Sequence, residues 1–487
     1  MTTVTDSVIF RHIFSTPESS EIWSDGTRTK YYLQFEACLA IVQARFGMIP
    51  VEAADAIDAR CKIEMIDMEE LAEETRKIGY PVLPLVKQIV RMANGVKPGL
   101  GEWAHWGATT QVSRINYIFD DLSGRCIEII SKDVTDTATI LQLRDTCELV
   151  SKALERITKA LCDLAVEHAT TPMPGRSNLQ QAVPITFGFK MARLLATFRR
   201  HQVRLAEILP RLLVLEFGGA AGTLATLADT DSAGLAFKIQ EGLAKELGLS
   251  VPEIAWHTER DRIAEIGAFF ALVTGTCAKF ALDVKLLMQT EVSEVSEPYA
   301  PHRGSSSTMP QKRNPISSVY ITAMASTIKQ LSAALFDAMV EDHERSTGPW
   351  EIEWIVLPQI STLTHATLIH TQLLLEGLEV HPETMRKNLD ITHGAIASEA
   401  VMMALGKKVG RQVAHDLVYD ICRKMATDPT QIFVECLLEN EVVRQCGFSR
   451  KDLESLCDPG KYIGLCEEMV SSVVANKPFV STEKLIL

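Results

Sequence analysis

Gly304-Ser-Ser-Ser-Thr-Met-Pro-Gln-Lys-Arg-Asn-Pro315 packs four hydroxyls, two cations and two amides between a glycine and a proline. Serial Ser with Gly and two Pro makes poor helix and poor strand, so a loop is expected here. Such a loop offers backbone N–H groups, candidate alkoxides and Lys312 to one small anion. A solvated basic turn has a similar composition, and composition by itself does not separate the two readings.

Outward from this loop, helical periodicity dominates. Leu154, Ile157, Leu161 and Leu164 recur at three- and four-residue steps, and Leu195, Phe198, Leu205, Ile208 and Leu212 continue loosely in the same manner. Thr16-Pro17-Glu18 reads as an N-cap, a proline at the first helical position and an acid in the first turn. The longest apolar run, Ile266 to Ala278, lies between Glu265 and Lys279. It is shorter than a bilayer span and is expected to be a helix buried on all sides. No alternation of apolar and polar residues is strong enough to claim a sheet, and no Gly-rich nucleotide loop or short repeat is present. These patterns predict a mostly helical protein with a long central bundle.

With 487 residues and 46% hydrophobic content the chain can bury a large core and divide into two to four domains. A net charge of −13 argues against a nucleic-acid binder, whose affinity rests on cations neutralising phosphate. An anionic substrate would have to meet a local cluster of Arg and Lys. Eleven Cys are scattered without CxxC or zinc-finger spacing, which reads as reduced thiols of a cytoplasmic protein. The opening Met1-Thr-Thr-Val-Thr-Asp6 has no basic region followed by an apolar core, so no secretory signal is expected.

The loop's pattern, GSSxMPxKxNP, resembles the mobile catalytic loop of the fumarase/aspartase superfamily. That resemblance implies that Ser306 is the proton-handling residue, with Ser307 beside it, and that Lys312 and Asn314 bind a substrate carboxylate. One departure is visible: the glycine that usually precedes the catalytic serine is Ser305 here, with Gly304 one step earlier. His105-Trp-Gly-Ala-Thr-Thr-Gln111 resembles the HxGxTSQD stretch, in which hydroxyls and an amide bind carboxylate. This makes Thr109, Thr110 and Gln111 candidate binding residues and His105 a candidate for proton transfer, although a lone histidine is more often packed or solvated. Glu216–Gly222 and Trp256–Arg262 resemble the cycloisomerase-like branch and are expected to serve packing and turn geometry. His343-Glu-Arg-Ser-Thr-Gly-Pro-Trp350 matches that branch too, with Arg345 as a candidate carboxylate clamp. Arg28 and Arg176 are similar candidates, though an isolated arginine is more often a surface ion pair.

Gly175-Arg-Ser-Asn-Leu-Gln-Gln-Ala182 resembles GRTHLQxA, and implies binding roles for Arg176, Ser177, Asn178 and Gln180. The lyases carry a general-acid histidine where this chain has Asn178. An amide hydrogen-bonds but gives no proton to a leaving group at neutral pH. Together with Glu21–Asp25, Leu39–Ala44 and Ala182–Arg193, this departure narrows the resemblance to the fungal trans-aconitate decarboxylases. Loss of CO2 from the methylene arm of aconitate leaves a delocalised carbanion, and no leaving group has to be protonated.

The resemblance implies an all-α fold of three helical domains: residues 1–111, a central bundle over 133–370 with the loop 304–315, and 371–487. It further implies a homotetramer whose active sites each draw on three subunits, a small tri- or dicarboxylate substrate, no metal and no organic cofactor. Neither a nucleic-acid nor a membrane partner is expected. Cycloisomerisation of a carboxymuconate and elimination of the adenylosuccinate type are the rival reactions.

Residues 112–132 interrupt the pattern, because Gln111 and Asp133-Val-Thr-Asp-Thr-Ala138 adjoin in the family. Val112-Ser113 can be encoded by a consensus splice donor and Lys132 by a codon ending in AG, so a translated intron is the expected origin. A genuine surface insertion is the alternative. Either way, extra residues there would displace Thr109 to Gln111, and about 1 Å of misplacement can cost on the order of a hundredfold in rate. A folded but inactive homologue is therefore a third reading.

Overall fold

The computed structural model describes residues 3–108, 132–228, 233–344, 346, 348–428 and 430–476. Six long helices dominate: α1 (Asp25–Arg45), α2 (Lys132–Glu167), α3 (Phe187–Leu212), α4 (Asp261–Leu287), α5 (Ile316–Asp337) and α6 (Pro349–Glu376). The periodic apolar positions are the reason they form. Leu154, Ile157 and Leu161 on α2 and Leu195, Phe198 and Leu212 on α3 are all fully buried. The helix Pro17–Ile22 begins as expected, with Thr16 and Ser19 satisfying each other's backbone N–H in a reciprocal cap.

Two expectations need correction. The apolar run over Ile266–Ala278 is helical, but it is not buried on all sides: Leu272 is 54% exposed. A helix directs side chains all round its axis, and this chain covers only part of α4. By length and composition alone α4 is apolar enough to cross a membrane, because the helix extends the run at both ends; 56% of that window is buried within the protein. The second correction concerns sheets. Strands β1 (Pro172–Ser177) and β2 (Gln180–Thr186) pair antiparallel, and β3 (Val295–Ser296) pairs with β4 (Glu379–Val380). Strand β1 escapes pattern reading because Pro-Met-Pro-Gly bulges rather than alternates, with the register shifting between Pro174 and Arg176. A Cβ on Gly175 would lie 2.7 Å from the Val183 carbonyl, so only glycine fits that bulge.

The described chain packs as two compact units. The first comprises residues 1–152, 202–275 and 323–367, and the second 153–201, 276–322 and 368–487. Within the second, the C-terminal helices close on their own core, with Val401, Leu405, Ala414, Phe433 and Leu437 buried together.

Candidate active site

In the second unit, Arg176 and Ser177 end β1, and Gln180 opens β2 directly opposite Ser177. The two residues between them, Asn178 and Leu179, have φ of 50° and 64°, the left-handed pair of a tight hairpin turn. Ser177, Asn178, Leu179 and Gln180 are all exposed at this tip. Left-handed backbone favours Asn, but it does not by itself explain why Asn replaces His. His105, His302, His343 and His393 all adopt φ between 49° and 63° in this same chain. The exchange therefore changes chemistry while leaving the turn available to either residue.

Arg176 is half-buried and its guanidinium is engaged inside the protein. It donates to both carboxylate oxygens of Glu294 at 2.9 and 2.6 Å, and to the Pro174 carbonyl at 3.3 Å. Glu294 is fully buried and also accepts from Asn388 Nδ2 at 2.8 Å. Three of the five guanidinium N–H groups are thus occupied by fixing the hairpin to the start of β3.

The signature loop closes on itself. Gly304 O accepts from both the backbone N and Nδ2 of Asn314, each at 2.9 Å, and Ser305 bridges Arg313. Gly304 has φ 67°, and a Cβ there would sit 2.5 Å from Asn314 O. The glycine's shift by one place therefore has a physical cause: the neck of the loop admits no side chain at 304. Asn314 fastens that neck through Nδ2, leaving its Oδ1 outside this interaction. Inside the loop, Ser306 Oγ accepts from Met309 N at 3.1 Å and from Thr308 N at 3.4 Å. Two N–H donors on one oxygen stabilise negative charge developing there. Ser307 and Lys312 are exposed. Below the loop, buried Glu297 caps α5, accepting from Ser317 N at 3.1 Å, Ser318 N at 2.9 Å and Ser318 Oγ at 2.8 Å. A cavity of about 270 Å³ beside the loop is lined by Tyr299, His302, Arg303, Lys312, Arg313 and Asn314 among others, a cation-rich wall suited to an anion.

In the first unit, His105 is buried with φ 59°, and its Nδ1 lies 2.6 Å from Glu36 Oε1 on α1. Burial pulls the ring's pKa down, but Glu36, with Asp133 behind it, more than offsets this, so the pKa is raised above 6.5. Asp133 itself is pushed up to about 7 by burial and by Glu216, although Gly218 N and Gly219 N donate to it at 3.2 and 3.0 Å. The segment after His105 is clasped by Thr226 Oγ1, which donates to Gly107 O at 3.1 Å. Arg28 on α1 is half-buried beside the buried Tyr32 hydroxyl.

Sequence reasoning missed the charge buried in this unit. Arg260, fully buried, donates to Asp136 at 2.9 and 2.9 Å and to Glu353 at 2.9 and 2.5 Å. Lys132 Nζ donates to Glu341 at 2.6 Å and to His257 O at 2.8 Å, and lies 4.8 Å from the Trp350 ring centroid. The segments Glu216–Gly222 and Trp256–Arg262 therefore supply buried ions as well as packing. Thr109, Thr110, Gln111, Arg345 and residues 112–131 of the suspected insertion lie outside the described residues. Its last residue, Lys132, is described and opens α2. Among the described residues no cluster of His, Cys, Asp and Glu is arranged to hold a metal ion.

Residues 129–329 match the family described as Lyase, and residues 394–473 that described as Adenylosuccinate lyase C-terminus. An uncharacterized protein of Schizosaccharomyces pombe is 53% identical over 96% of this chain and 98% of its own. Trans-aconitate decarboxylase 1 of Mycosarcoma maydis is 51% identical, over 95% of this chain and 88% of its own length. The crystal structure of 3-carboxy-cis,cis-muconate lactonizing enzyme from Pseudomonas putida matches with a TM-score of 0.86 and 37% identity, covering 96% of this chain and 98% of that one. The chain belongs to the fumarase/aspartase superfamily of lyases and cycloisomerases, on its cycloisomerase-like branch. Its fold is the all-α fold of that superfamily, with the two small sheets as additions to the helices.

Proposed function

We propose that this enzyme is a cofactor-free carboxy-lyase that converts trans-aconitate to itaconate. The observation that carries the reading is Asn178, an amide at the hairpin tip where the lyases place a general acid, in a turn that would have accepted histidine. The full-length likeness to a trans-aconitate decarboxylase supports the same reaction. In this reaction the bond from the methylene arm to its carboxylate breaks, releasing CO2. The electron pair spreads over the neighbouring double bond toward the far carboxylate. A proton then adds at the far carbon, giving itaconate. Ser306 delivers that proton. Lys312 and the charged His105 face the substrate carboxylates, and the hairpin tip supplies amide donors. Preorganised charge of this kind supplies much of the rate when no leaving group needs help.

The enzyme acts in this reading as a homotetramer, whose subunits together bring the hairpin, the signature loop and the His105 segment to one site. Apolar side chains left exposed on the long helices, including Leu272, Leu282, Phe336, Ile355 and Leu373, support the association. Cycloisomerisation is the second reading, favoured by the match to the lactonizing enzyme. Incubation with trans-aconitate, a carboxymuconate and adenylosuccinate, followed for CO2, lactone and fumarate, separates the readings. CO2 from trans-aconitate alone is expected; lactone without CO2 would assign the cycloisomerase reaction instead. The same assay on a variant lacking residues 112–132 tests the insertion, since activity confined to the shorter form marks the longer one as an inactive product.

A further inference from the structure

Helix α1 buries Thr29, Glu36 and Gln43, three polar residues spaced seven apart along an otherwise apolar face. Seven residues are close to two helical turns, so the three lie along one line. Two of them grip a single short segment: Gln43 Nε2 donates to Trp106 O at 2.5 Å, and Glu36 meets His105 at 2.6 Å. An ionised carboxylate only accepts, so His105 Nδ1 carries the proton in that bond. A purely structural ion pair normally saturates both partners. This one does not. Glu36 Oε2 is buried without a partner, and His105 Nε2 makes no hydrogen bond to any described residue.

We propose that Glu36 is a positioning residue, which holds the Nδ1 proton of His105 and so fixes the ring with Nε2 presented to the substrate. The inference rests on His105 facing substrate, as argued above. The charged groups that act on the ring are Glu36 from α1 and Asp133 from α2, and the Cys61 thiol lies within electrostatic reach of Glu36. Both carboxylates favour the charged ring, whose Nε2–H donates to the substrate carboxylate on which negative charge collects. No proton leaves the ring in this role. A carboxylate behind a histidine acts in this way wherever one protonation state and one orientation are required.

The test uses the full-length protein with trans-aconitate. Glu36→Gln keeps the shape but removes the carboxylate that holds Nδ1 protonated, so the ring that meets the substrate is neutral rather than charged. Turnover is expected to fall by about a hundredfold with KM changed less than about threefold, and Glu36→Asp should recover about a tenth of the wild-type rate. A second readout needs no substrate: labelling of His105 by diethyl pyrocarbonate across a pH series, mapped by peptide mass spectrometry. The midpoint for labelling should move to lower pH by about one unit in Glu36→Gln, because the carboxylate that holds the ring charged is gone. A moved midpoint in a protein that releases no CO2 keeps this inference and removes the decarboxylase reading. An unchanged midpoint, or a His105 that no variant exposes to the reagent, overturns the inference itself. If the Gln variant fails to fold, Glu36→Asp provides the same comparison.

Discussion

Arg176→Met removes a guanidinium from a buried carboxylate and keeps most of the side-chain length. Glu294, fully buried, would keep only Asn388 Nδ2 at 2.8 Å and lose two charged donors at 2.9 and 2.6 Å. Breaking one partner of a buried ion pair costs about 3–5 kcal/mol. The Arg176 side chain is 23% exposed, so water screens the pair and enters the gap. With that discount and the remaining amide, about 2–3 kcal/mol is expected, roughly a 30- to 160-fold change in local opening. Hydrogen–deuterium exchange of peptides from β1 and β2 reads that opening directly. The hairpin amides should exchange faster by about that factor, and Glu294→Gln in the same chain should recover about 1 kcal/mol or more through the shared contact. If hairpin protection is unchanged while KM rises about tenfold or more, the guanidinium serves the substrate and the structural account of Arg176 is wrong.

Ser306→Ala should retain substrate binding by calorimetry while turnover falls by about 10²- to 10⁴-fold; retained turnover would move proton delivery to His105 or water. Arg260→Met strands Asp136 and Glu353, so it should cost about 3–5 kcal/mol and lower the calorimetric transition, and an unchanged transition would contradict the buried network. Asp133 holds its proton up to about 7 when folded but only to 3.8 in its ordinary state, so the folded protein binds the extra proton between those values. Stability therefore falls as pH rises through that window, and Asp133→Asn should melt with a visibly flatter pH profile than wild type between about pH 4 and 7.

The helices were legible because burial repeats at helical steps, as Leu154, Ile157 and Leu161 show. The signature loop was legible because Gly304 and two prolines allow little else, and its closed neck accounts for the displaced glycine. The β1–β2 hairpin was not, since a bulge at Gly175 and two prolines erase the alternation that marks a strand. Partners brought together by folding were also invisible. Arg260 meets residues 124 and 93 positions away, Lys132 one 209 away, and Glu36 reaches His105 across 69. The seven-residue spacing of Thr29, Glu36 and Gln43 was present in the sequence, but it resembles any polar helix face until burial shows which way it points.

Product analysis after reaction with trans-aconitate in D2O tests the central claim most directly. Protonation at the far carbon predicts one equivalent of CO2 and itaconate with a single deuterium on its saturated methylene carbon, visible by NMR. Deuterium in a methyl group would place the proton at the wrong end of the carbanion, and the absence of CO2 would remove decarboxylation altogether.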